Sequence, residues 1–435
     1  MSAPAIVDGY FPDHGDLSYD VRRYDLRIAY QLASNQLQGR AVLDAVALTD
    51  VDELHLDLRG STVSTVTVDA AQVARFSVKG EKLVIRTRRL IPEGREFRVV
   101  VTYEGRPRPI PDGSDEMGWE ELDDGVIVAG QTNGAPSWFP CNDRPANKAS
   151  YRIEVTVPSA YHVVANGRLA HRHRGASATT WVYDQPEPMA TYLATVHIGR
   201  YVERPVTASV VPMSAVLPER HLARYDDAFG RQPEMMDFFV STFGPYPFGG
   251  YRVVVTDDEL EIPLEAQGLA AFGSNFLTED WDAVRLVAHE LAHQWFGNSL
   301  TLGAWRDIWL HEGFACYSEW LWSEESGSDT AHDRAAAHWR RLAQLPKDLR
   351  LGDPGPDDMF DDRVYKRGAL LLHALRLTVG DDYFFALLRE WVARHAHSSV
   401  TTEMFRDLAE EVAGRDLAKL FTAWLDELAL PELPS

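Results

Sequence analysis

The chain has 435 residues, 45% of them hydrophobic and 25% charged, ordinary values for a globular protein and enough length for two domains. Its 65 acidic against 43 basic residues leave a formal net charge of −22, which argues against nucleic acid or an anionic membrane as a partner. Two cysteines are too few for a disulfide framework, the amino terminus "MSAPAIVDGYFPDHGD" has no basic start or apolar run, and nothing approaches the ~18 apolar residues of a membrane span, so a cytoplasmic protein is expected.

In chain order, "YDLRIAYQL" comes first, with Tyr24, Leu26, Ile28, Tyr30 and Leu32 alternating as in a half-buried strand. "ELHLDL", "STVTVD", "KLVIRT", "FRVVVTYEG", "YRIEVTVP" and "TYLATVHIG" follow, separated by Gly, Pro, Asn and Asp, so residues 1–204 are expected to form an all-β domain. Pro205 marks the boundary, because proline disfavours continued regular structure. Beyond it, "RYDDAFGRQPEMMDFFVSTFG" has helical spacing, "YRVVVTD" is the one β-like stretch, and helices dominate the rest of 205–435. The predicted fold is α+β and multidomain.

The segment "WDAVRLVAHELAHQWF", residues 281–296, reads as one helix that Gly297 stops. Residues four apart share a helix face, so His289 and His293 aim at one point with Glu290 beside it. H-E-x-x-H in this form binds Zn²⁺ through two neutral imidazoles and uses the glutamate as general base. A third ligand should come from a neighbouring helix, and "DIWLHEGFACYSEWLW" offers Glu312, with eighteen residues between it and His293. An isolated helix glutamate ordinarily faces solvent, but one among Trp309, Leu310, Phe314 and Trp320 needs a partner. Glu319, two turns on, is placed to accept an N–H from a ligating histidine. His311 points elsewhere on that helix and reads as structural.

These motifs together resemble the aminopeptidase N family of gluzincin zinc metallopeptidases, which also includes the leukotriene epoxide hydrolase. The likeness spans nearly the whole chain. It implies one zinc on His289, His293 and Glu312, Glu290 as base, and a thermolysin-like catalytic domain after the β domain. "VYKRGALLLHAL" is similar to the family's Y-x-K-G segment, which implies that Tyr365 stabilises the oxyanion, with Arg367 in place of the usual lysine. "EIPLEAQGLAAFG" resembles the G-x-M-E-N exopeptidase loop and puts Glu265 on the substrate's α-ammonium, although Pro263 and Ala266 depart from the motif. "QTNGAPSWFPCNDRPANKASYRIEV" resembles the segment that lines the pocket for the first side chain, which assigns Gln131 to that pocket and gives Cys141 no redox role. "LFTAWLDELALPELPS" resembles the closing helix of the catalytic domain, so a two-domain form without the further helical domain is expected.

The expected activity is release of the first residue from peptides with a free N-terminus. Epoxide hydrolysis or internal cleavage on the same zinc site are the rival enzymes. A silent peptide-binding scaffold is the rival from another class, but it would be expected to lose a ligand or the base.

Overall fold

The computed structural model describes residues 7–73, 75–112, 115–207 and 209–434. The alternation at Tyr24 to Tyr30 does what its period dictates. Strand Tyr19–Gln31 buries Tyr24, Leu26, Ile28 and Tyr30 and exposes Arg27 and Ala29. It pairs antiparallel with Gln36–Ala47 and parallel with Ala149–Pro158, in the middle of an eight-stranded sheet. A three-stranded sheet (Val51–Asp57, Lys82–Ile91, Arg75–Lys79) and a five-stranded sheet centred on Gly125–Ala129 accompany it. One expected strand is shorter than its sequence suggests. Thr191–Leu193 of "TYLATVHIG" is a 3₁₀ turn, and only Val196–Gly199 is extended.

Pro205 does not interrupt regular structure. It lies in Val202–Val206, the edge strand of a second five-stranded sheet, where one side has no neighbour to need its missing N–H. That sheet continues through Met213–Leu217, Tyr251–Val255 and Leu269–Phe272 and ends on Leu264–Ala266. Of these strands only Tyr251–Val255 was expected. Met213–Leu217, Tyr251–Val255 and Leu269–Phe272 run parallel and are largely buried, so "MSAVL" and "LAAF" carry no alternation to read.

The expected helix over 281–296 is regular only from Trp281 to Ala292. His293 keeps helical dihedrals at its end, and the chain then turns tightly, with the N–H groups of Asn298, Ser299 and Leu300 bonded to the carbonyls of His293, Gln294 and Trp295. Gly297 adopts φ 129°, a conformation that a side chain would strain. Helices Trp309–Glu325 and Asp362–Val379 cross at Gly313 and Gly368. A Cβ built on either glycine would lie 2.8 Å from the other's Cα, so only glycine permits this approach.

Hydrogen bonds at several places tie the β-rich half to the helical half. Lys148, from the β-rich half, donates to the carbonyls of Asn298 and Ser299, at 3.0 and 2.7 Å. Near the amino terminus, Asp8 accepts the Trp305 N–H, while Tyr10 donates to Asp353 and accepts from the Gly355 N–H. No helix among the described residues is long and apolar enough to cross a membrane.

Candidate active site

The helix Trp281–Ala292 is amphipathic, and its buried face includes His289 and Glu290, with His293 at its end. His293 Nδ1 lies 3.0 Å from the Phe296 carbonyl, an oxygen that can only accept, so the ring carries its proton on Nδ1. His289 Nδ1 lies 2.8 Å from Glu319, which fixes the same tautomer. Both Nε2 atoms are therefore free to ligate. They stand 3.3 and 3.5 Å from Glu312 Oε2, which the Trp309–Glu325 helix brings across.

This donor set suits a small cation. Four-coordinate zinc with bonds of about 2.0–2.2 Å spaces neighbouring ligand atoms about 3.3 Å apart, close to the separations found. The ligand atoms of His289, His293 and Glu312 lie within 4.8 Å of one another, and all three residues are buried. Glu265, Glu290 and His293 form an overlapping cluster within the same limit.

The electrostatics agree. Burial alone would lower the two imidazole pKa values, but the surrounding carboxylates outweigh it. His289 is raised, and His293, facing Glu312 and Glu265, reaches about 10. The centre is thus a well of negative potential. Burial raises Glu290 to about 8, opposed by His289 and His293 and reinforced by Glu265 and Glu312. Glu265 is raised for the same first reason, whereas Glu312, despite burial, is held low by His293 and His289. Glu319 is also buried yet sits at about 2, because Lys366, His289 and Arg285 favour its charged form. Glu290 Oε2 is buried with no hydrogen-bond partner among the described residues.

Glu265 lies on the edge strand Leu264–Ala266, not in an irregular loop as its sequence tract suggests. The hairpin it belongs to turns at Gly268 and is fastened to the histidine helix. Gln294 accepts the Gly268 N–H and donates to the Ala266 carbonyl, and Asn298 donates to the same carbonyl. Tyr365, in the first turn of Asp362–Val379, stacks on His289 at 6.0 Å between ring centroids and 21° between planes.

Gln131 makes no hydrogen bond or ion pair with the other assigned residues among the described residues. It follows Gly130, which abuts the Tyr192 carbonyl, and the Tyr192 hydroxyl is pushed up first by burial and then by the charges of Glu265 and Glu312. Gln131 Nε2 is buried without a hydrogen-bond partner among the described residues. His311 accepts the Leu302 N–H through Nε2 at 2.8 Å, and burial presses its pKa down to about 3. Arg367 points away from the site, donating to backbone carbonyls of Trp424, Glu427 and Ala429 near the carboxyl end.

Sequence reasoning missed Arg285, Gln294 and Asn298. Arg285 binds Glu319 at 3.2 Å and stands one turn before His289, a spacing that was available to read. Nothing local marks Gln294 or Asn298, because their partners are backbone atoms of a distant hairpin.

Residues 228–424 match the Peptidase family M1 domain, and residues 21–193 match the Peptidase M1 N-terminal domain. The crystal structure of an M1 zinc metallopeptidase from Deinococcus radiodurans superposes with a TM-score of 0.90 at 30% identity, covering 98% of this chain and 99% of that one. The chain belongs to peptidase family M1. A mutant of the Deinococcus radiodurans M1 enzyme bound to a Tyr-Ser-Ala substrate superposes equally well, with a TM-score of 0.91 at 29% identity and the same coverage of both chains. Aminopeptidase M1-D of Oryza sativa subsp. japonica is 25% identical over 444 residues, 94% of this M1 chain and 50% of that protein. Leucyl aminopeptidase of Saccharolobus solfataricus is 25% identical over 333 residues, 71% of this chain and 42% of that protein. The chain spans about half the length of the first curated relatives it matches.

Proposed function

We propose that this M1 chain is a zinc aminopeptidase, with the metal on His289, His293 and Glu312. The observation that carries the reading is the unpartnered Glu290 oxygen buried beside three ligand atoms at zinc spacing, with Glu265 in the same cluster. Zinc, when bound, supplies Lewis acidity that makes water a nucleophile near neutral pH and a positive charge that favours ionised carboxylates. Glu290 takes the proton of the attacking water and returns it to the departing amine. Tyr365 donates its hydroxyl to the oxygen that gains charge at the peptide carbonyl. Glu265 pairs with the substrate's α-ammonium, and Gln131, with its unused amide, completes the pocket for the first residue. Glu319 and the Phe296 carbonyl hold the two imidazoles in their ligating tautomers.

The tripeptide bound by the Deinococcus relative supports peptides as the substrate class. The division into a β-rich domain, 1–204, and a catalytic domain, 205–435, is part of this proposal, and two unpaired, buried cysteines suit a reducing cytoplasm. The test compares free peptides with their N-acetylated forms. Free peptides are expected to lose their first residue and acetylated ones to resist. Glu265→Ala should cut kcat/KM for free peptides by ~10² or more, as a buried charge loses its partner. Equal cleavage of both forms would refute the exopeptidase reading.

A further inference from the structure

A cavity of about 820 Å³ opens between the β-rich half and the helical half, and none of the residues of the histidine centre lines it. Its wall has a charge pattern opposite to that of the whole molecule. Arg23, Arg152, Arg168 and Arg252 line it, against only Asp184 and Glu187. Asp184 is engaged with Arg152 at 3.0 Å, and Glu187 accepts from Gln185. Arg252 spends its guanidinium on the carbonyls of Ala165 and Gly167 and lies over the Tyr183 ring, with no carboxylate. Arg23 and Arg168 are exposed and have no hydrogen bond or ion pair among the described residues.

In a chain with a net charge of −22, solvated acidic residues are plentiful enough to pair every arginine, yet here Arg23, Arg168 and Arg252 line one cavity with no ion pair among the described residues. Guanidinium groups lining one concave wall can serve as a receptor for carboxylate or phosphate, which they bind in forked, charge-assisted pairs. The volume lies in the range of small-molecule sites. Gly268, the turn of the hairpin that carries Glu265, belongs to the same wall, so an occupant touches an element of the catalytic centre without entering it.

We propose that this cavity binds a small dianion, a dicarboxylate or a phosphate ester, through Arg23 and Arg168 with Arg152 and Arg252 completing the cationic wall. The site does not include the residues of the histidine centre, and its ligand is recognised by charge rather than by a free amino group. It does not depend on the aminopeptidase reading.

Titration calorimetry of the zinc-loaded protein with succinate and with phenyl phosphate, at ionic strength matched with sodium chloride, tests this directly. Saturable one-to-one binding of at least one probe is expected, weakened about tenfold or more in Arg23→Glu/Arg168→Glu, as the loss of two charge-assisted pairs implies. Hydrogen exchange should show ligand protection at Gly249, Gly250 and Gly268. The probe that binds tells carboxylate from phosphate. Absence of saturable heat for both probes, or binding unchanged in a double variant that retains its zinc and melting temperature, would overturn the proposal and leave solvated surface arginines.

Discussion

At the scale of single residues, the chemistry rests on which ring nitrogen is free. Glu319 and the Phe296 carbonyl decide that for His289 and His293, and Glu319 in turn is held by Arg285. Glu319→Gln keeps the size of the side chain but removes the charge that favours the Nδ1–H tautomer and strengthens the imidazole as a ligand. Zinc affinity should fall roughly 10–100-fold, measured by competition with a chelator, with little change in melting temperature of the metal-free protein. Unchanged affinity would remove Glu319 from the metal centre. The meeting of His289 and His293 was legible in sequence because helical spacing forces residues 289 and 293 together. The contact of Glu319 with His289 was legible through its spacing from Glu312. The Phe296 carbonyl was not, since a backbone acceptor carries no residue signature and the helix was expected to continue past it.

At the scale of elements, the centre depends on two helices approaching more closely than side chains allow. Gly313 follows Glu312 directly, and Gly368 lies one turn after Tyr365, so their contact sets the separation between the proposed ligand and the proposed oxyanion donor. Gly368→Ala inserts a Cβ 2.8 Å from the Gly313 Cα, a backbone atom that cannot rotate away. Stability should fall by about 1–3 kcal/mol, as for overpacked cores, and zinc affinity should fall with it. A variant with unaltered melting temperature and metal affinity would show that the helices tolerate separation. Sequence alone gave no hint of this crossing. The hairpin of Glu265 was likewise unread as strand, because Pro263 and the Gln267–Gly268 turn leave only three residues on the edge strand and no periodicity to detect.

At the scale of the whole molecule, the β-rich half contributes acid sensitivity as well as support. His197 is buried in strand Val196–Gly199, and His162 in the adjacent strand His162–Ala165 is largely buried. Burial lowers both pKa values to about 4. The folded-state value lies below the ordinary 6.5, so as pH falls the unfolded chain takes up protons first. The associated stability is complete above about pH 6.5 and is lost as pH drops toward 4, by up to about 3 kcal/mol for His197. His197→Gln should therefore lose less melting temperature between pH 7 and pH 4.5 than the wild type. Equal losses would mean that His197 is already charged in the folded state. The two-part β-then-helix organisation was readable from the change of period. The second sheet was not, because its buried parallel strands look like any short apolar run.

The central claim is that Glu290 is a base beside a metal it does not bind. Zinc content and turnover of free peptides, measured together for Glu290→Gln and His289→Ala, separate those roles most directly. Glu290→Gln is predicted to retain about one zinc per chain and lose nearly all turnover, and His289→Ala to lose both. Equal loss of zinc in the two variants, or substantial turnover by a zinc-loaded Glu290→Gln protein, would contradict the account.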